Sequence, residues 1–166
     1  MDAAAKKTAL RMIPCGIYVL TAKGSEGVAA ATVNWVTQTS FEPPLIVVGI
    51  KAGSGAYAAV KDSGHFALNV LGKGQQGAAF AFFKAVKVEG DKISGEPFRT
   101  GTTGAPILAN APASVECKVV DLIEKGDHHI VIAEVINAEV AKPIEGRADD
   151  ASLHMRDLGD TVFYGG

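Results

Sequence analysis

The sequence predicts a mainly β domain of antiparallel strands with a few short helices, and three stretches carry that reading. Residues 114–123 and 129–140 are long runs of alternating and β-branched side chains joined through Glu124-Lys125-Gly126-Asp127, the clearest hairpin in the chain. Residues 17–21 and the segment entered at Val28 flank the polar turn Lys23-Gly24-Ser25-Glu26-Gly27, a second hairpin. Residues 45–50, LIVVGI, form a short apolar run that reads as a buried strand. Hairpins join neighbours that run in opposite directions, so the sheet is antiparallel.

The 166 residues fit one domain, 1–166, long enough to bury about two-thirds of the unfolded surface. A formal charge of −2 gives no basic footprint for nucleic acid or an anionic membrane, so neither partner is predicted. Cys15 and Cys117 lie far apart without C-x-x-C spacing, which points to reduced thiols. Asp2, Lys6, Lys7 and Arg11 interrupt any signal-peptide core, and no apolar run approaches the roughly 20 residues of a membrane span. A cytoplasmic address is the expectation.

In chain order, residues 3–12 have helix-forming composition and stop at Pro14-Cys15-Gly16. After the strand at 45–50, Gly53, Gly55 and Ala58 fit the G-x-G-x-x-A spacing ahead of an Ala-rich helix. A dinucleotide fold also needs an acidic residue about 20 positions on, and none lies between Asp62 and Glu89. What remains is a helix start with Ser54 and Lys51 beside it, which suits one phosphate or, equally, a plain capping turn. Residues 65–71 read as a strand interrupted by Asn69. Residues 74–84, with Phe80, Phe82 and Phe83, read as a short helix or lid ending in Lys84, a second phosphate candidate. Residues 90–113 read as a long loop, and 147–166 as a polar tail closing on Phe163-Tyr164-Gly165-Gly166.

The segment 29–41 is the anomaly. Strict alternation places Thr32, Asn34, Gln38 and Ser40 on one face and Val33, Trp35, Thr37, Thr39 and Phe41 on the other, so polar groups point both ways. Buried without partners, each would cost roughly 1–3 kcal/mol, and a flat polar ligand would satisfy them. Trp35 suits core packing and ring contact equally well.

Motifs of other chemistries are missing: there is no G-x-S-x-G, no H-E-x-x-H and no G-x-x-x-x-G-K-[ST]. Adjacent His128 and His129 on a strand face opposite ways and cannot share a metal, so no metal is predicted.

Asn34-Trp35-Val36-Thr37-Gln38 followed by Phe41-Glu42-Pro43-Pro44 resembles the cofactor strand of the flavin reductase-like family. The chain is similar, nearly end to end, to the flavin reductase domain of some flavodiiron proteins. The resemblance implies a split β-barrel of Greek-key-like connectivity that binds FMN, with NAD(P)H as hydride donor, and a homodimer with FMN near the interface. It assigns Thr32, Asn34, Trp35, Val36, Thr37 and Gln38 to the flavin ring, and Lys51, Ser54 and Lys84 to the phosphate. Gly126-Asp127-His128 matches the family's G-D-H motif and gives His128 a positioning or hydrogen-bonding role in hydride transfer. Ser152-Leu153-His154-Met155-Arg156 resembles the segment that closes over the cofactor, which adds His154 and Arg156. Electrons would pass onward to free flavin, a metal complex or a redox protein partner. A flavoredoxin-like electron carrier, with tightly held FMN and no reaction with NAD(P)H, is the competing reading, and a scaffold that only oligomerises is the third. No motif selects NADH over NADPH.

Overall fold

The computed structural model describes residues 1–165. Eleven strands form two antiparallel sheets. The larger is built from β1 (Tyr18–Gly24), β2 (Gly27–Val33), β3 (Val36–Ser40), β4 (Leu45–Lys51), β5 (His65–Val70), β10 (Ala113–Ile123) and β11 (His128–Val140), in the order β2-β1-β5-β10-β11-β4-β3. β2 and β3 are consecutive in sequence yet occupy opposite edges of this sheet. Only Asn34 and Trp35 separate them, so the sheet must roll until its edges meet, and β2 packs against β4 across the seam. The result is a split barrel.

Period-two burial fills its interior. In β4, Ile46, Val48 and Ile50 point inward while Val47 and Gly49 point out. Leu20, Phe66, Leu68, Cys117, Val131 and Ala133 join them from the other strands. Fully burying a side chain such as Phe66 contributes about 2–3 kcal/mol. Helix α2 (Gly55–Ser63) plugs the barrel with Tyr57 and Val60. It starts at Ser54, whose hydroxyl accepts the Tyr57 N–H at 3.1 Å, and stops at Gly64, whose φ of 67° lies in the left-handed region.

A second apolar cluster lies outside the barrel, where Ile17, Val19 and Leu71 pack against α3 (Gln76–Ala81), Phe82, Ile93, Leu108 and Leu153. Helix α1 (Ala3–Arg11) buries no residue. Late in the chain come α4 (Ala148–Ala151) and a 3-10 turn, Met155–Leu158.

The structure corrects three sequence expectations. The supposed loop 90–113 holds most of a second sheet of short strands, β6 (Val88–Glu89), β7 (Lys92–Ile93), β8 (Glu96–Thr100) and β9 (Pro106–Leu108). Two buried polar residues stitch it to the barrel. Asn69 donates to Val19 O (3.0 Å) and Thr21 Oγ1 (3.2 Å) and accepts from Leu108 N (2.8 Å), which explains the break in its strand's apolar pattern. Glu116, 2% exposed, accepts from the backbone and hydroxyls of Thr102 and Thr103 and from the Asn137 amide. Burial alone would push its carboxyl up, but these donors outweigh it and hold the group at about 2.

The second correction concerns 29–41, which is not one strand. It breaks at Asn34-Trp35, so no single alternation spans it. Thr37, Gln38 and Thr39 are exposed on the edge strand β3, and their side chains bond local carbonyls of Gln38, Ser40 and Leu45. Water, not a buried partner, accounts for their two-sided polarity. The third is minor: the last strand opens at His128, one residue before the boundary read from the sequence. The G-x-G-x-x-A spacing is no dinucleotide fold, because β4 pairs antiparallel with both β3 and β11 and enters no parallel βαβ unit.

Candidate active site

A cavity of about 600 Å³ lies between the open edge of β2, the β4–α2 junction, loop 82–86 and the C-terminal segment. That volume is typical of small-molecule sites. Its wall begins with backbone. β2 is an edge strand, and Thr32 sends its N–H to Phe82 O at 3.2 Å rather than to β1. By the alternation of antiparallel pairing, Val28 and Ala30 turn their N–H and C=O groups to the same open side. Ala29, Ala30 and Ala31 keep this edge low, so a flat ring can lie close to a row of backbone donors and acceptors.

One end of the cavity is built for an anion. Lys51 ends β4, Ser54 caps α2, and Gly55 and Ala56 lie in the first helical turn, where backbone N–H groups have no intrahelical acceptor. Lys84 lines the same cavity. Among the described residues neither lysine forms an ion pair. Gly53, with φ of 70°, lets the chain turn from strand to helix here.

The other side holds a hydrogen-bonded line. His128 faces Lys51 across the β4–β11 ladder and lies edge-on to Trp35, ring centroids 4.6 Å apart. Its Nδ1 is 3.0 Å from Asp127 Oδ1, and its Nε2 is 2.7 Å from the Tyr164 hydroxyl. The hydrogen bond from His128 holds Asp127 below the usual carboxylate range, while burial and the charge of Asp127 raise the Tyr164 phenol. A carboxylate can only accept, so Nδ1 donates to Asp127, and in the neutral ring Nε2 accepts from the Tyr164 hydroxyl. His129 turns the opposite way, against Tyr57 with centroids 4.7 Å apart, as strand geometry requires.

The structure brings Thr32, Asn34, Lys51, Ser54, Lys84 and His128 onto this one cavity. Asn34 is 6% exposed and donates to Tyr164 O at 3.1 Å; the Thr32 hydroxyl ties down α3 through Ala79 O at 2.7 Å. Trp35, His154 and Arg156 line a second cavity of about 540 Å³ on the far side of the C-terminal segment. There His154 Nε2 lies 3.0 Å from Ser152 Oγ. Val36, Thr37 and Gln38 line neither cavity. Sequence reasoning missed the open edge of β2, whose only sign is three successive alanines, and missed Tyr164, which no motif marks.

A barrel seam with a low backbone edge and an anion nest at one end has the room and the donors for a planar, phosphorylated ligand. The chain belongs to the flavin reductase like domain family, which matches residues 10–157. It is 31% identical over 135 residues to FMN reductase (NADH) RutF 1 of Methylorubrum extorquens, covering 81% of this chain and 66% of that protein. To diflavin flavoprotein A 1 of Synechocystis it is 33% identical over 153 residues, 92% of this chain but 26% of that protein. The chain thus spans less than two-thirds of the length of these relatives. Among solved structures it is similar to the NADH:FAD oxidoreductase SgcE6 of Streptomyces globisporus, with 31% identity, a TM-score of 0.68, and 77% and 76% of the two chains covered. The styrene monooxygenase flavin reductase of Pseudomonas putida gives 29%, 0.69, 81% and 85%.

Proposed function

We propose that this chain is an NAD(P)H-dependent flavin reductase that binds FMN in the cavity beside β2. The observation that carries the reading is the pairing, in one cavity, of a low backbone edge with an anion nest at Lys51, Ser54, Gly55 and Ala56. That donor set fits FMN: backbone groups of 28–32 for the polar rim of the ring, small side chains for its face, and helix N–H groups with two lysines for the phosphate. When bound, the flavin supplies the capacity to accept hydride from a nicotinamide and pass electrons on. The residues bind and orient. Asn34 and His128 present a donor and an acceptor beside the ring site, and loop 82–86 with Phe163 and Tyr164 shields it from water.

SgcE6 has been solved in complex with NAD and FAD fragments, and RutF is named for NADH, which supports nicotinamide as the donor. A second copy of the chain is the partner this reading favours. Ile130, Ile136 and Val140 are exposed along β11, with Phe41 exposed beyond β3, and so available to a homodimer interface. No helix among the described residues is long and apolar enough to cross a membrane, and the reading places the protein in the cytoplasm, where reduced nicotinamide is made. The test is anaerobic mixing of FMN-loaded protein with NADH or NADPH. Loss of the oxidised-flavin absorbance supports the reductase; loss only with a reduced redox protein supports the electron carrier and overturns it.

A further inference from the structure

The two cavities are separated by one strip of chain: Met155, Val162, Phe163 and Tyr164 line both. Tyr164 stands at its centre and engages two polar groups that face the ring site, Asn34 and His128. Its carbonyl accepts from the Asn34 amide at 3.1 Å, its hydroxyl hydrogen-bonds His128 Nε2 at 2.7 Å, and its ring lies 5.6 Å from Trp35 and 5.7 Å from His128 by centroid. Resting on the reductase reading, we propose that Tyr164 fills the nicotinamide subsite and that the hydride donor binds by displacing it.

Complementarity is the argument. With Tyr164 removed, the site offers an amide donor from Asn34, an acceptor at His128 Nε2, and two aromatic neighbours. A nicotinamide presents a planar ring whose carboxamide oxygen accepts and whose carboxamide nitrogen donates, the same pair of functions that Tyr164 supplies. The cavity beyond the strap, with Arg156 on its wall, takes the remainder of the dinucleotide. The strap is also held for release. Outside the site its clasp is Arg11, whose Nε donates to Gly165 O at 3.1 Å and whose guanidinium lies 4.3 Å from the Phe163 ring centroid. These contacts are exposed, and exposed hydrogen bonds and cation–π contacts are individually weak. Binding to a site that is open only part of the time is weakened by the fraction open.

The experiment compares wild type, Tyr164→Ala, Tyr164→Phe and Arg11→Ala, each loaded with FMN. The dissociation constants for NAD+ and NADP+ are read by calorimetry and KM for the matching reduced cofactor by flavin bleaching, with FMN affinity and thermal midpoint as controls. Arg11 lies on a helix that buries nothing, so that variant keeps the test open if Tyr164→Ala fails to fold. The expected result is about five-fold tighter oxidised-cofactor binding and a matching fall in KM for Tyr164→Ala and Arg11→Ala, and about two-fold for Tyr164→Phe, which keeps ring and carbonyl. Bleaching in all four with equal or weaker nicotinamide binding in the variants overturns the strap and leaves the reductase reading standing. Bleaching only in the loosened variants supports both. No bleaching and no nicotinamide binding in any of them overturns both.

Discussion

Replacing Lys51 with Ala isolates the anion nest from the rest of the flavin site. Lys51 lies at the end of β4, exposed at its tip, next to the first turn of α2. A charge-assisted hydrogen bond to phosphate contributes about 1.5–3 kcal/mol where it is dry, and solvent screening at this edge brings the expectation to about 1–2 kcal/mol. At about 1.4 kcal/mol per decade, the FMN dissociation constant should rise roughly 5- to 30-fold. The helix N–H groups and Lys84 remain, which sets the upper bound. Titration of flavin fluorescence against apoprotein measures it, and riboflavin, which lacks the phosphate, is the control. Lys51→Ala should leave riboflavin affinity within about two-fold while FMN affinity falls, and the FMN loss should shrink as salt is raised. An equal loss for both ligands, or none for FMN, would refute the assignment of this end of the cavity to phosphate.

Other consequences are checked more briefly. His128→Ala should slow stopped-flow flavin reduction by 10-fold or more while FMN affinity shifts less than three-fold; if neither moves, His128 has no part in hydride transfer. Glu116 gives a pH dependence. Its carboxyl, near 4.5 in the unfolded chain, is held at about 2 when folded, so its contribution is fully present above pH 4.5 and is lost as pH falls toward 2. The shift corresponds to an upper figure of about 3 kcal/mol, and Glu116→Gln should therefore lower urea stability at pH 7 much more than at pH 3. An equal loss at both pH values would count against it.

How much of this was legible in the sequence depends on the kind of signal. The hairpins β1–β2 and β10–β11 announce themselves because alternation, β-branching and turn residues agree. The nest at Ser54 reads from local rules too, since a cap residue after a buried strand needs no tertiary knowledge. The small sheet β6–β9 does not read, because strands of two to five residues between glycines and prolines are too short to show a period. The polarity of Thr37 and Gln38 misled for a related reason: alternation says which face a residue shares, not whether water reaches it. The fold places them on an edge strand while Asn34, two residues upstream of β3, is buried at the seam. Tyr164 could not be found at all, for its importance comes from contacts with residues 36 and 130 positions away.

The most direct measurement is a crystal structure of the protein grown with FMN. The ring should lie along residues 28–32, with its phosphate within hydrogen-bond reach of the Gly55 and Ala56 N–H groups and Lys51. Density for FMN elsewhere, or a bare β2 edge at saturating flavin, would contradict the account.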